Sequence, residues 1–132
     1  MTDDQQVHQT VEHVMRGMVV TIDARAVLRD AARVLRDEDV GTLAIMNGPT
    51  LVGILSERDI VRALADDADP DEVWVGDIMS EEPRYLTPGD RALSAIDIML
   101  TAGIRHLPVV EDTELVGIVS MRDLTRELRT SP

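Results

Sequence analysis

Apolar residues follow strand and helix spacings along this chain, and the spacings predict the same order of elements in each half. In the first half, VVTI is a brief extended segment, and TLAIM and LVGIL are two strands joined by a turn at residues 47–49. A helix is predicted between VVTI and TLAIM, because apolar residues recur there every three or four positions: Val27, Ala31, Val34 and Leu35. Asp23 is the expected cap of this helix, and Ser56 begins a closing helix.

The second half repeats this order with its own start and stop signals. Thr87 is the expected N-cap of a helix with Pro88 at its first position, and Gly103 is the expected stop. The apolar positions of that helix are Leu93, Ile96, Met99 and Leu100. HLPVV and LVGIV predict two strands, and Ser120 begins the last helix. Each half therefore has the order β-α-β-β-α, which predicts an α/β (α+β) fold with helices covering one side of each sheet.

The two halves also share residue identities. Residues 11–64 align with residues 75–128 without a gap, and 13 of the 54 pairs are identical. The densest block is LVGILSERDIVRAL against LVGIVSMRDLTREL, and matching amphipathic turns, VEHVM and VGDIM, open the two copies. Each copy is too small to bury a comfortable core alone. The duplication therefore indicates a two-fold module with paired sites.

The repeat predicts the domain organisation. We expect a flexible tail over residues 1–10, a first unit over 11–64, an acidic linker over 65–72, a second unit over 73–128 and a C-terminal tail over 129–132. The linker includes ADDADPDE, whose charge and proline are typical of a solvated connection.

Composition narrows the classes of function. The chain has 25 acidic residues against 13 basic ones, all arginine, and its net charge of −12 disfavours duplex nucleic acid and anionic membrane surfaces as partners. It has no cysteine, which excludes disulfides, thiolate metal sites and cysteine nucleophiles. No apolar run approaches the roughly 20 residues of a membrane span, and the MTDDQQ start is not typical of a signal peptide. We expect a cytoplasmic protein.

Catalytic and metal-binding motifs are missing from the sequence. The three histidines have no helical or hairpin ligand spacing, and there is no G-x-S-x-G elbow or glycine-rich phosphate loop. We therefore predict neither a metal site nor an enzyme.

One short motif, G-h-h-S-x-R-D-h with h apolar, occurs once in each copy. It places Ser56, Arg58 and Asp59 in the first copy and Ser120, Arg122 and Asp123 in the second. A Ser followed three residues later by a carboxylate resembles a capping box, which needs no ligand. However, capping boxes favour the longer Glu or Gln, and capping does not require the Arg that both copies keep. The carboxylate can instead accept two hydrogen bonds from a vicinal diol such as that of ribose, and a helix N-terminus beside an Arg favours an anion.

With these features the chain resembles a tandem pair of CBS domains, the arrangement called a Bateman module. The resemblance covers about residues 11–128 and depends on the duplicated motif, on the RHLPVV strand and on the order of elements. It implies two units packed through their sheets with pseudo-two-fold symmetry, with two clefts that bind adenosine-containing ligands. AMP, ADP, ATP and S-adenosylmethionine are the ligands it implies, along with a homodimer.

The resemblance also assigns roles to residues. It implies that Asp59 and Asp123 hold the ribose diol, with Ser56 and Ser120 beside them. The resemblance implies that the base is held by Val20, Thr21 and Ile22 in the first copy and by Arg84, Tyr85 and Leu86 in the second. It also implies that Arg105 and His106 face a phosphate. Arg58 and Arg122 are further phosphate candidates because each lies at a helix N-terminus.

The two clefts are expected to be unequal. Arg105 and His106 precede a strand of the second copy, whereas Gly41 and Thr42 take their places in the first. Because a net charge of −12 repels a polyanion, AMP, ADP or Mg²⁺-bound ATP are expected in preference to free ATP.

These expectations describe a regulatory module that senses an adenosine ligand and signals through its homodimer or an effector protein. The closing helices are expected to supply the apolar dimer surface, with Ile60, Val61, Leu64, Leu124 and Leu128. The alternative is a ligand-free interaction module that modulates a partner enzyme or transporter, because capping alone explains Ser-x-x-Asp.

Overall fold

The computed structural model describes residues 9–81 and 84–130, with side chains as far as Leu128. The predicted tails lie largely outside the described residues, at residues 1–8 and 131–132. The chain forms two compact units, of which the first takes Val20–Pro83 and the second takes Met1–Val19 with Arg84–Pro132. Both units mix helices and strands, which confirms the predicted α+β class.

The first unit is built on a four-stranded sheet. Its elements are β1 (Thr21–Asp23), α1 (Leu28–Glu38), β2 (Thr42–Asn47), β3 (Thr50–Ser56), α2 (Glu57–Ala65), α3 (Val75–Ile78) and β4 (Ser80–Glu81). The strand order is β1-β2-β3-β4, with β1 parallel to β2 and the other pairs antiparallel. Leu43, Ile45 and Leu55 lie in its core with the apolar face of α1.

The second unit follows the same plan with shorter outer strands. A 3₁₀ turn (Val11–His13) precedes α4 (Ala92–Ala102), β5 (His106–Glu111), β6 (Glu114–Ser120) and α5 (Met121–Thr130). β5 and β6 form an antiparallel pair. Isolated β-bridges replace the two outer strands of the first unit. Leu86 pairs with Val109 at the position of β1, and Arg16 pairs with Ile118 at the position of β4.

The short turn at the start of each sequence copy packs in the compact unit that contains the rest of the other copy. Val11 is buried in the core of the second unit, and Val75 is buried in the core of the first. Met79 packs where a side chain of Gly53 would lie, and Met15 does the same at Gly117. The compact units are therefore not the contiguous stretches 11–64 and 73–128 of the sequence repeat.

The predicted helix caps at Asp23 and Thr87 are wrong. The helices begin later, at Leu28 and Ala92, and neither has a side-chain cap. Backbone carbonyls take the place of the cap, because the N–H of Leu28 donates to Val73 O at 3.1 Å and that of Ala92 donates to Gln9 O at 2.8 Å. These carbonyls come from segments assigned by sequence to the second unit and to the tail.

Other local signals are confirmed. Ser56 is the N-cap of α2, and the Ser120 hydroxyl accepts from the Asp123 N–H at the start of α5. Gly103 ends α4 with φ at 69°, in the left-handed region that favours glycine. The expectation that Ile60 and Leu124 are surface residues is wrong, since each is buried in the core of its own unit.

Candidate functional site

The first Ser–Asp pair forms a complete capping box at the junction of β3 and α2. The Asp59 N–H donates to the Ser56 hydroxyl at 3.2 Å, and the Ser56 N–H donates to Asp59 Oδ2 at 2.8 Å. The capping interpretation therefore describes this contact correctly. An ionised carboxylate has about four acceptor positions, so one N–H leaves Asp59 with capacity for further donors.

The sheet places further predicted residues near Ser56. Thr42 at the start of β2 lies directly opposite Ser56 in the ladder, so the two side chains share one face of the sheet. Thr21 in β1 pairs with Ala44 on the other side of β2. The predicted base segment on β1 and the Ser56 end of β3 therefore lie on opposite sides of β2. Two strand spacings separate β1 from β3, which is about 10 Å.

The Thr42 hydroxyl has an unusual environment. Thr42 is buried, and among the described residues its Oγ1 is the one buried side-chain polar atom without a hydrogen-bond partner. Burying a hydroxyl without a partner is costly. The hydroxyl is therefore an unpartnered donor on the face of the sheet that Ser56 shares, and a ligand or a water molecule reaches it when the surrounding side chains shift.

The second Ser–Asp pair differs from the first in what the carboxylate binds. The side chain of Asp123 is only 8% exposed. Arg16 donates to it from Nε at 3.1 Å and from Nη2 at 3.4 Å, and Arg126 donates from Nη2. Burial alone raises the pKa of the Asp123 carboxyl. Hydrogen bonding with the Ser120 and Arg16 side chains, together with the charges of Arg16 and Arg126, outweighs burial and holds this pKa below its usual value.

The remaining predicted residues of the second unit are placed as follows. His106 lies opposite Ser120 in the β5–β6 ladder, and the carbonyl of Arg105 accepts from the Met121 N–H at the start of α5. Arg84 and Tyr85 are exposed, whereas Leu86 is buried in the core and both its backbone groups pair with β5. Of the base segment, Arg84 and Tyr85 are thus the accessible side chains.

In both helices the Arg between the Ser and the Asp is exposed. Arg58 and Arg122 follow Ser56 and Ser120 by two residues. In the first unit, Val20 and Ile22 are half-buried on either side of exposed Thr21. The roles of all these residues toward a ligand stay predictions.

Arg16 is a site residue that the sequence interpretation missed. It lies 107 positions from Asp123, so no local motif connects them. The alignment of the two copies contained a signal, because the position that matches Arg16 in the other copy is Ser80. A charge found in only one copy indicates that the two sites differ there.

Neither a metal centre nor a membrane span is found in the part of the chain that the structure describes. No three or more His, Asp or Glu residues there are grouped so as to hold a metal ion. No helix within residues 9–81 and 84–130 has the length and apolar character needed to cross a bilayer.

Two α+β units that each contain a Ser-x-Arg-Asp helix start define a tandem-domain protein. A family model described as CBS domain matches residues 11–66 and again residues 75–130. The chain therefore belongs to the CBS domain family and carries two CBS domains, which confirms the resemblance found in the sequence.

Individual relatives agree with this assignment. An uncharacterized protein of Methanocaldococcus jannaschii is 32% identical over 123 residues, which are 92% of this chain and 44% of that protein. The chain thus spans less than half the length of that relative. A CBS domain protein from Pyrobaculum aerophilum, solved in complex with AMP, is 30% identical with a TM-score of 0.81 and covers 92% of this chain and 98% of its own.

A second solved structure carries other ligands. The CBS domain pair of the protein MJ0100, in complex with 5′-methylthioadenosine and S-adenosyl-L-methionine, is 25% identical with a TM-score of 0.82. The match covers 90% of this chain and 98% of that one.

Proposed function

We propose that this chain is a cytoplasmic regulatory module, without catalytic activity of its own, that binds an adenosine-containing ligand at its Ser–Asp helix starts. The observation that carries the proposal is the polar arrangement around Ser56. Asp59 has unused acceptor positions, and the Thr42 hydroxyl is buried without a partner. The β1 segment lies on the other side of β2 from Ser56. A nucleoside has a diol that can donate to the carboxylate and a flat aromatic base that can lie against the segment across β2.

The ligands of related structures support the same chemical class. AMP, 5′-methylthioadenosine and S-adenosyl-L-methionine, which are present in the two solved relatives, share an adenosine group. In this chain Arg58, Arg122, Arg105 and His106 are the candidates to face a phosphate. Since the chain carries a net charge of −12, AMP, ADP or Mg²⁺-bound ATP fit better than free ATP.

Thermal unfolding against a ligand panel tests the proposal. The panel contains AMP, ADP, ATP with and without Mg²⁺, and S-adenosylmethionine, with the guanosine nucleotides as controls. A ligand at about 100 times its dissociation constant stabilises the folded state by about 2.7 kcal/mol. A melting temperature that no adenosine compound raises would refute the proposal.

A ligand-free interaction module is the second candidate, and the complete capping box of Asp59 favours it. In that case Ser56 and Asp59 serve only to begin α2. The same panel separates the two candidates, because a module of this kind gives no shift with any nucleotide.

Replacing Thr42 with Val is expected to stabilise the ligand-free protein and to weaken ligand binding. The substitution keeps the side-chain shape and removes a buried hydroxyl that has no partner, which relieves its desolvation cost. Loss of one neutral hydrogen bond to the ligand weakens binding about two- to tenfold. Thermal unfolding and calorimetric titration measure the two effects. Thr50→Val, at an exposed position of β3, is the control that changes neither.

We further propose that the protein signals through a homodimer formed by exposed apolar residues of its helices. Val61 on α2 is 64% exposed and Leu100 on α4 is 70% exposed, both far above what a core position shows. Leu64 on α2 and Leu93 on α4 are exposed as well. An open groove of about 370 Å³ between α1 and α2 also includes Val61.

Leu100→Glu is expected to shift the protein from dimer to monomer, because it places a charge in an apolar contact. Light scattering at tens of micromolar measures the change. Met18→Glu alters an exposed apolar residue outside the helices and is expected to stay dimeric. A wild-type monomer under these conditions contradicts the proposal.

A further inference from the structure

The two ribose-binding candidates differ in one contact, the ion pair of Asp123 with Arg16. Oδ1 of Asp123 accepts from Nη2 of Arg16 and from Nη2 of Arg126, and Oδ2 accepts from Nε of Arg16. Each carboxylate oxygen offers about two acceptor positions. Oδ1 is therefore saturated by guanidinium groups, and a ligand cannot donate to both oxygens unless one of them leaves.

The repeat shows which residue causes the difference. Arg126 has an equivalent in the first unit, Arg62, and within the described residues Asp59 makes no ion pair. Arg16 has no such equivalent, because Ser80 occupies its place. The backbones match: Arg16 pairs with Ile118, and Ser80 pairs with Ile54 at the same step of the ladder.

We propose that Arg16 is an internal competitor that occupies the diol-binding carboxylate of the second unit, so that the Asp59 site is open and the Asp123 site is closed until Arg16 is displaced. The proposal rests on the proposed function, since it concerns the same sugar-binding carboxylates. A vicinal diol donates one hydrogen bond to each oxygen, and Arg16 is the group that already donates to both. The Arg16 side chain is 59% exposed, so its guanidinium can move into solvent while the backbone pairing with Ile118 stays.

A repeat-swap experiment tests this competition with adenosine as the probe. Adenosine carries the diol and no phosphate, so any affinity of Arg16 for phosphate does not affect the result. Asp59→Ala leaves the Asp123 site as the remaining diol site. Arg16→Ser is then added, so that the sheet beside Asp123 carries serine, as Ser80 does in the unit of Asp59. NMR titration is expected to show adenosine binding to the double variant at least about tenfold more tightly than to Asp59→Ala, because a charge-assisted contact no longer competes.

The reverse change closes the open site. Asp123→Asn disables the second site conservatively, and Ser80→Arg is then added to place a guanidinium at the matched step of the first sheet. This variant is expected to bind adenosine about tenfold more weakly than Asp123→Asn alone. Arg36→Ser removes one positive charge and an exposed ion pair with Asp37 elsewhere in the first unit, and it is expected to change neither affinity.

The outcomes separate the inference from the function on which it rests. Adenosine binding that Arg16→Ser and Ser80→Arg leave unchanged overturns the competition and leaves the proposed function standing. No adenosine binding to the open Asp59 site refutes both. A double-mutant cycle of Arg16→Ser and Asp123→Asn on the ligand-free protein adds a readout independent of ligand. Zero coupling in unfolding free energy would show that the ion pair does not form in solution, which also overturns the inference.

Discussion

Asp59→Ala is expected to weaken the binding of adenosine-containing ligands between about tenfold and several hundredfold. Each hydrogen bond that a ribose hydroxyl donates to a charged carboxylate contributes about 1.5–3 kcal/mol, and Asp59 is the carboxylate with unused acceptor positions. Under the same reasoning, the double variant with Asp123→Ala is expected to lose the ligand-induced rise in melting temperature altogether.

The measurement compares melting temperatures with and without ligand for each variant. At a ligand concentration that is about 100 times the wild-type dissociation constant, a hundredfold weaker variant retains only about 0.4 kcal/mol of stabilisation. Asp59→Ala also removes the carboxylate that accepts from the Ser56 N–H in the capping box, which lowers the stability of the ligand-free protein. For this reason the ligand-induced shift, and not the absolute melting temperature, is the quantity to compare.

Asp37→Ala is the matched control for this prediction. Asp37 is an exposed carboxylate on α1, and the hydrogen bond from Arg36 holds its pKa below the usual value. Its removal changes the net charge by the same amount without altering a helix start. A ligand-induced shift that survives in the Asp59→Ala, Asp123→Ala variant would remove the ribose role from both carboxylates.

Gly53→Ala is expected to destabilise the protein by about 1–3 kcal/mol, the range typical of overpacking in a well-packed site. A Cβ at this position overlaps the Met79 sulfur and lies 2.8 Å from the backbone oxygen of Ser80. Met79 can change rotamer, but the Ser80 carbonyl belongs to β4, which is paired with β3. Because a backbone atom of the sheet must shift, the cost is not relieved by side-chain movement alone.

Denaturant unfolding measures this effect, with two further variants to define its cause. Gly89→Ala adds a Cβ where no atom lies within 4 Å and is expected to change stability little. Met79→Ala in the Gly53→Ala background is expected to restore only part of the loss, since the Ser80 carbonyl remains. Full rescue would show that the backbone contact does not limit the packing.

Gly117 provides the corresponding test in the second unit. Its added Cβ lies 2.7 Å from the Met15 sulfur and 3.0 Å from the Arg16 carbonyl. Both contacts are therefore tighter at Gly53 than at Gly117, and Gly117→Ala is expected to cost less.

Much of the local structure was predictable from the sequence because it depends on neighbouring residues. Strands β2, β3, β5 and β6 follow from short apolar runs bounded by turn residues. The helix starts at Ser56 and Ser120 follow from the hydroxyl that accepts the N–H three residues later. The stop at Gly103 follows from its left-handed conformation.

The sequence interpretation failed where a distant segment supplies the partner. Asp23 was expected to cap α1, but the Val73 carbonyl accepts the first helical N–H, and Asp23 instead accepts from the N–H of Arg25. Thr87 is the expected cap of α4, but the Gln9 carbonyl accepts the Ala92 N–H. In each case a residue far along the chain satisfies the group, and spacing along the sequence carries no record of it.

By itself, the sequence determined the order of elements in each copy and the two Ser–Asp helix starts, because these depend on residues within a few positions of one another. It also determined the duplication and the family, because both are found by comparing such local patterns. Only the tertiary structure decided which opening turn joins which unit and which carboxylate is already bound. Those outcomes depend on contacts such as Met79 on Gly53 and Arg16 on Asp123. Two copies with the same motif therefore present different carboxylates, because Arg16 pairs with Asp123 whereas Ser80, at the matched sheet position, has no charge to pair with Asp59.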